Sequence, residues 1–284
     1  MPTPTAKPPG NTAHLQRLAK DGAEQAGVPQ GRYQRWLNTV LLSAVLSGSR
    51  DEVGDPLFAL KGGAAMELRL GVTARASKDY DAAFRDRSET MLDRLDEALA
   101  DGWMDFAFQR TEAVPIRHTS ALRMDVKLSY KGRPWGTVQL EIAPAEGEVG
   151  QEIDRVPAQP LDPVQLAGPG YIACVSVRYQ IAQKIHACTE VYEDGSPNDR
   201  FRDLVDLQLL RELIRDDELS AVRRGCVEIF DLRATHAWPP EVRVWPDWGD
   251  GFRAMAADVA FFTDDVEAAA EGLRELIAEI DAAR

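Results

Sequence analysis

Apolar positions in the first part of the chain change from helical spacing to strand spacing. Residues 32–49 place apolar side chains at helical intervals, which predicts an amphipathic helix packed on a core. The short apolar run 57–60 predicts a buried strand that ends at Lys61-Gly62-Gly63. Residues 64–70 then predict a helix, which Gly71 is well placed to end.

A two-residue period follows Ser77. The segment KDYDAAF puts Asp79 and Asp81 on one face and Tyr80 and Ala82 on the other, which predicts a strand. A helix is predicted over 88–100, with Ser88 as its N-cap. Three further strands are predicted over residues 103–110, 122–130 and 137–143. A turn at 131–136 joins the last two strands as an antiparallel hairpin.

The second half of the chain has mainly helical spacing. Residues 144–170, rich in Pro, Gly and Gln, predict an irregular connection. Helices are predicted over 177–191, 200–215, 217–229 and 253–283. The pattern indicates an α+β protein with three regions: a disordered leader over 1–30, a sheet-containing lobe over 31–150, and a mainly helical C-terminal lobe over 151–284.

Composition narrows the class of protein. With 44% apolar and 28% charged residues, the chain has the make-up of a soluble globular protein. No apolar run reaches the roughly 18 residues of a membrane span, and the first residues lack the apolar core of a secretory signal. Three widely spaced cysteines favour buried thiols in a reducing cytoplasm over disulfides or a zinc site. The net charge of −13 repels phosphodiester backbones, so a nucleic-acid partner requires a local basic surface.

The candidate chemistry lies in Gly62-Gly63, a helix, and then Asp79-x-Asp81 on a strand. Two carboxylates two residues apart on a strand point the same way and offer the oxygen ligands that Mg²⁺ prefers. Two such ions would bind the attacking and leaving oxygens of a displacement at phosphorus. The glycines let the backbone approach a triphosphate, and the N-terminus of the helix directs N–H groups towards it.

A third carboxylate is expected on a neighbouring strand, as general base or as a further metal ligand. Glu141 is one candidate, because a carboxylate within the apolar run 138–142 needs a partner and a metal ion supplies one. Asp125 is the alternative, and the residues alone leave the choice between them open.

Two blocks of sequence resemble the AbiEii/AbiGii-type nucleotidyltransferase toxins, a family that includes the MenT toxins. FALKGGAAMELRLGVTARASKDYDAAF is similar to the motif L-K-G-G-T-x-L, a short helix and R-x-S-x-D-x-D. RYQIAQKIHACTEVYEDGSPNDRFRDLVDL is similar to the later motifs L-x-x-K-x-x-A and R-x-[RK]-D-x-x-D-L. The resemblance covers about 30–210 and implies a nucleotidyltransferase fold, with a mixed sheet in the first lobe.

The resemblance also implies roles for individual residues. Asp79 and Asp81 would bind Mg²⁺ or Mn²⁺, and Glu141, the candidate drawn from the residues themselves, would be the third metal ligand. Lys184 would contact the triphosphate, and Asp203 or Asp206 would support the centre from the helical lobe. Further contacts to the nucleotide would come from Lys61, Gly62, Gly63, Ser77 and Arg202.

The chain departs from the family pattern at two places. Ala64 stands where a Thr or Ser usually follows the glycines, so a hydroxyl contact to phosphate is lost. Ala82-Ala83 follow the second aspartate, where one large apolar residue is common. Neither departure removes a catalytic group, but together they leave the choice of nucleotide open.

Membership of this family would imply transfer of a nucleotide, a pyrimidine in the best understood relatives, from an NTP to the 3′ end of tRNA. This would stop translation, and the protein partner would be a cognate antitoxin that acts, in some relatives, by modifying the serine that corresponds to Ser77. Two alternatives remain: nucleotidyl transfer to a hydroxyl of a protein or small molecule, and a non-catalytic NTP-binding module.

Overall fold

The computed structural model describes residues 7–71, 79–117, 119–258 and 263–283. The chain divides into two compact units. The sheet unit comprises Met1–Ala145 and Ile153–Val175, and the helical unit comprises Glu146–Glu152 and Ser176–Arg284. None of the helices in the described ranges combines the length and the apolar character that a membrane span requires.

One mixed sheet organises the sheet unit. Its strands are β1 (Phe58–Lys61), β2 (Tyr80–Phe84), β3 (Phe106–Arg110), β4 (Val114–Pro115), β5 (Leu122–Tyr130), β6 (Arg133–Pro144), β7 (Ile153–Pro157) and β8 (Tyr171–Val175). Within the described residues they are ordered β3-β5-β6-β2-β1-β8-β7, and β4 also pairs with β5. The pairs β2/β6 and β1/β8 are parallel and the others are antiparallel.

The predicted hairpin of β5 and β6 is confirmed, and it contains a β-bulge. Leu128 pairs with Gly136, whereas Ser129 pairs with Pro134, so Trp135 is the extra residue of β6. The indole Nε1 of Trp135 donates a hydrogen bond to Oδ1 of Asn38 over 2.8 Å, which holds the bulge against the helix that contains Asn38. Side chains of β5 alternate between exposed and buried, so one face of this part of the sheet packs on the core and the other is open.

In the described part of the sheet unit, four α-helices accompany the sheet: α1 (Thr12–Ala26), α2 (Gln30–Leu46), α3 (Gly62–Leu70) and α4 (Met91–Asp101). The predicted helices at 32–49, 64–70 and 88–100 correspond to α2, α3 and α4. Ser88 is not the N-cap of α4, because it begins a short 3₁₀ turn and Thr90 occupies the capping position.

Helix α1 lies within the segment 1–30, for which the sequence predicts a disordered leader. The Oδ1 of Asn11 accepts a hydrogen bond from the backbone N–H of His14, which caps the first turn. Gly27 ends the helix in a left-handed conformation with φ of 67°. Leu15 and Ala19 are buried in the core, so apolar contacts stabilise this helix. The prediction of disorder is therefore wrong for residues 12–26.

The helical unit contains α5 (Val177–Thr189), α6 (Arg202–Arg211), α7 (Leu219–Arg233), α8 (Trp248–Asp258) and α9 (Val266–Ala282). The long helix predicted over 253–283 is two helices, because Asp265 caps α9 by accepting a hydrogen bond from the N–H of Glu267. The predicted boundary at 150/151 also differs, since β7 and β8 continue the sheet next to β1. Most of the connection predicted to be irregular therefore belongs to the sheet unit.

Candidate active site

Asp81 lies in the middle of a row of four charged residues on one face of the sheet. Its neighbour on the antiparallel strand β1 is Lys61, and its neighbour on the parallel strand β6 is Glu141. Glu141 in turn pairs with Arg123 on β5. Residues that pair directly across neighbouring strands share a face of the sheet, so Arg123, Glu141, Asp81 and Lys61 form a continuous charge row.

The opposite face of β2 is fixed in the core. Tyr80 is buried, and its hydroxyl lies 2.9 Å from Oγ of Ser43 on α2. Burial raises the pKa of this phenol above its ordinary value, so it stays protonated. Because successive strand residues alternate between the two faces, the burial of Tyr80 turns its neighbour Asp81 to the other face of the sheet. Asp79 is exposed and Asp81 is half-buried, as the D-x-D pattern predicts.

Gly62 connects the glycine motif to the aspartates. Its φ of +62° lies in the left-handed region, where residues with a Cβ are strained. A Cβ at this position would also collide with Oδ2 of Asp81. The backbone at the start of α3 therefore lies directly against the Asp81 carboxylate. This position requires glycine for both conformation and space.

The start of α3 has the features of an anion site. Lys61 is the N-cap residue, and its side chain has donors only, so it cannot satisfy the first amides of the helix. Gly63, in the first turn, is half-buried. The positive end of the helix dipole and the Lys61 ammonium thus lie at the same end of the charge row. This arrangement suits the phosphates of a nucleotide.

The register distinguishes the two candidates for a third carboxylate. Glu141 is the direct neighbour of Asp81, whereas Asp125 pairs with Gln139 two residues along the strands. Glu141 is bound by Arg123, whose Nε and Nη2 both contact Oε1, at 2.8 Å and 2.6 Å. The geometry therefore favours Glu141 as the partner of Asp81.

The donor set fits a hard divalent cation, because the row brings the carboxylates of Asp81 and Glu141 side by side, and Asp79 immediately precedes the strand that carries Asp81. In the described part of the chain, however, no three Asp, Glu, His or Cys side chains are grouped closely enough to hold a metal ion. A metal centre would therefore require Glu141 or an aspartate to rearrange, and the metal-binding roles stay predictions.

In the helical unit, Lys184 of α5 is buried together with Asp203 and Asp206 of α6. Its Nζ lies 2.7 Å from Oδ1 of Asp203 and 2.7 Å from Oδ2 of Asp206. Burial disfavours the ammonium, but the two carboxylates outweigh it and raise the pKa of Lys184. Arg200 also binds Asp203, through Nε at 2.7 Å. The cluster joins α5 to α6, and a contact from Lys184 to a triphosphate stays a prediction.

Arg202 and Ser77 are the two remaining residues for which a contact to the nucleotide is predicted. Arg202, the first residue of α6, is exposed, and its guanidinium lies over the ring of Phe201 at 4.8 Å. Ser77 lies outside the described residues. Sequence reasoning missed Arg123, whose only available signal was its place in the predicted strand 122–130.

One protein-family model, described as the nucleotidyl transferase AbiEii toxin of type IV toxin–antitoxin systems, matches residues 44–278. Among solved structures, the chain is similar to MenT4, a nucleotidyltransferase toxin from Mycobacterium tuberculosis H37Rv, with 18% identity and a TM-score of 0.52. This similarity covers 96% of the chain and 99% of MenT4. No curated protein sequence matches the chain. The MenT4 likeness confirms the predicted fold, and the family match spans most of the chain.

Proposed function

The chain belongs to the nucleotidyl transferase AbiEii toxin family of type IV toxin–antitoxin systems, and we propose that it transfers a nucleoside monophosphate from an NTP to the 3′ end of tRNA. The observation that carries this proposal is the register that sets Asp81 beside Glu141, against the Gly62 backbone at the start of α3. A carboxylate pair next to a helix N-terminus can serve both a metal ion and a triphosphate.

In the proposed reaction the acceptor hydroxyl oxygen forms a bond to the α-phosphorus, and the bond to the bridging oxygen of the pyrophosphate breaks. We assign Asp79, Asp81 and Glu141 to hold Mg²⁺ or Mn²⁺, which when bound would supply charge to the phosphate oxygens. We also assign Glu141 to take the proton of the acceptor hydroxyl. Lys61, Gly62 and Gly63 would hold the phosphates at the start of α3.

The negative net charge of the chain is unfavourable for the proposed tRNA acceptor. The family resemblance supports a pyrimidine nucleotide and tRNA, but the net charge of −13 repels a polynucleotide. This charge favours a second candidate, in which the nucleotide is transferred to a hydroxyl of a protein or small molecule. The family assignment supports an enzyme over a non-catalytic NTP-binding module.

Labelling separates these acceptors. The full chain is incubated with total tRNA and Mg²⁺, and with each α-labelled NTP in turn. We expect labelled tRNA with one pyrimidine nucleotide. No labelled RNA with any NTP would contradict the tRNA acceptor, and label on protein or on a small molecule would select the second candidate.

Two variants test the site in the same assay. Asp81→Asn should abolish labelling, while Asp101→Asn, at the exposed end of α4, should retain it. Comparing Glu141→Gln with Asp125→Asn decides the third carboxylate. We expect the first to lose activity and the second to keep it. The reverse result would assign the role to Asp125.

We further propose that the protein acts in the cytoplasm and is controlled by a cognate antitoxin, which modifies Ser77, two residues before Asp79 in the sequence. Co-expression with the product of the neighbouring gene, followed by intact-mass measurement of the chain, tests this. A mass increase that Ser77→Ala removes is the expected result. An unchanged mass together with unchanged activity would contradict it.

A further inference from the structure

The contact between Arg123 and Glu141 is the feature of the charge row that the proposed function does not use. Both Nε and Nη2 of Arg123 approach the same carboxylate oxygen, Oε1, at 2.8 Å and 2.6 Å. The Arg123 side chain is 50% exposed, whereas that of Glu141 is 21% exposed. The guanidinium therefore reaches from an open strand face onto the carboxylate next to Asp81.

The order of charges along the row explains why an arginine is needed there. Glu141 and Asp81 are direct neighbours, so two like charges are held side by side. Each has a cation on its far side, Arg123 beyond Glu141 and Lys61 beyond Asp81. The four charges cancel, which stabilises the carboxylate pair in the absence of a metal ion.

A divalent cation changes this balance. It would take over the neutralisation of both carboxylates, and the row would then carry two excess positive charges. Arg123 and the cation would compete for Glu141, and no group of three metal-ligating side chains is found among the described residues. A displaced guanidinium needs a new anion, and its planar set of donors matches a phosphate group.

We propose that Arg123 is the counter-ion that a divalent cation displaces from Glu141, and that the displaced guanidinium then binds a phosphate group of the nucleotide or of the acceptor. Arg123 is thus a positioning residue for Glu141 before the cation binds and a phosphate ligand afterwards. This inference rests on the proposed function, because it takes Glu141 as a metal ligand.

The first test measures Mn²⁺ binding to the full chain without nucleotide, by electron paramagnetic resonance. Arg123→Gln should bind Mn²⁺ more tightly than the wild type by about two- to fivefold, the factor expected for removal of a half-exposed ion pair. Arg123→Lys, which keeps the charge but loses the paired donors, should lie between them. Lys127→Gln is the matched control, because it removes the same charge from the same exposed face of β5.

Glu141→Gln separates competition from a general charge effect. In that background Arg123→Gln should leave Mn²⁺ affinity unchanged, because the contested carboxylate is gone. An effect that persists there, or one that Lys127→Gln reproduces, would overturn the proposal. Arg123→Gln that binds Mn²⁺ no more tightly than the wild type would overturn it as well.

The second test identifies the phosphate that Arg123 binds. At saturating Mn²⁺, affinities are measured for a non-hydrolysable NTP analogue and, separately, for tRNA. A several-fold weakening in Arg123→Gln, absent in Lys127→Gln, should appear with one of the two, and it names the source of the phosphate. If neither affinity changes, the second half of the proposal is wrong.

Asp81→Asn separates failure of the proposed metal centre from failure of the role proposed for Arg123. If it binds Mn²⁺ as tightly as the wild type, the metal centre of the proposed function fails, and the inference fails with it. If Asp81→Asn loses Mn²⁺ while Arg123→Gln behaves as the wild type, only the role of Arg123 is refuted.

Discussion

Replacing Lys184 by methionine tests whether the cluster in the helical unit holds the fold together. The Lys184 side chain is 9% exposed, and those of Asp203 and Asp206 are 4% and 0% exposed. Methionine keeps most of the aliphatic volume, so the substitution removes the charge without opening a large cavity. It leaves two buried carboxylates without the ammonium that neutralises them.

The size of the effect follows from what remains. Removing one partner from a buried ion pair costs about 3–5 kcal/mol of stability. Arg200, whose Nε lies 2.7 Å from Asp203, is not changed by the substitution, so Asp203 is expected to keep a cation. We therefore expect the free energy of unfolding to fall by about 3 kcal/mol, at the lower end of that range.

Urea unfolding at pH 7, followed by circular dichroism, measures this change. Arg253→Met is the control, since it breaks an exposed pair with Asp250 on α8 and should leave stability unaltered. The triple variant Lys184→Met/Asp203→Asn/Asp206→Asn should recover much of the loss, because no charge is left buried alone.

A stable Lys184→Met, with a loss below about 1 kcal/mol, would refute the anchoring role. If that stable variant were also inactive in the tRNA-labelling assay, the lysine would instead act on the nucleotide, as the family motif implies.

Two further predictions concern Gly62 and His186. Gly62→Ala should lose activity and Mn²⁺ binding, because its Cβ would displace the Asp81 carboxylate; Gly54→Ala has a similar left-handed strain but open space, and should remain active. Burial, and then the nearby Arg233, lower the pKa of His186 to about 4. The unfolded chain therefore binds a proton more readily than the folded one between about pH 6.5 and 4, so stability should fall as the pH falls through this window, by up to about 3 kcal/mol. His186→Gln should flatten the pH dependence of unfolding, and an unchanged profile would contradict this assignment.

The elements that are predictable from the sequence are those with one buried and one open face. The alternation in 122–130 predicts β5 to the residue, because the buried and exposed faces of that strand differ in polarity. β8, by contrast, is buried at four of its five positions. A short run that is buried on both faces lacks the alternation of polar and apolar residues that identifies a strand. Most of the length predicted for the C-terminal helix is correct, but the break at Asp265 depends on a cap that spacing does not reveal.

The candidate site is only partly predictable for a similar reason. The D-x-D spacing predicts one face for Asp79 and Asp81, and the structure sets the backbone of Gly62 against the Asp81 carboxylate. Arg123 could not be assigned, because its partner depends on the bulge at Trp135. Tyr130 pairs with Arg133, and an unbroken ladder from there would set Leu140 opposite Arg123. The bulge shifts the register by one residue and brings Glu141 there instead.

The register of the charge row therefore depends on the hydrogen bond that holds the bulge, between Trp135 and Asn38. Trp135→Phe keeps an aromatic ring but leaves the buried Asn38 amide without this donor, which costs about 1–3 kcal/mol in addition to the lost volume.

Trp36 provides the matched control for this substitution. It is buried in the same unit, and among the described residues its Nε1 has no hydrogen-bond partner. Trp36→Phe therefore loses similar volume but no hydrogen bond. We expect urea unfolding to show Trp135→Phe as the less stable variant by at least about 1 kcal/mol, and its activity to fall further because the bulge that aligns Arg123 with Glu141 is weakened. Equal losses of stability in the two variants would show that the indole hydrogen bond does not maintain the bulge, and the register would then depend on packing of the Trp135 ring alone.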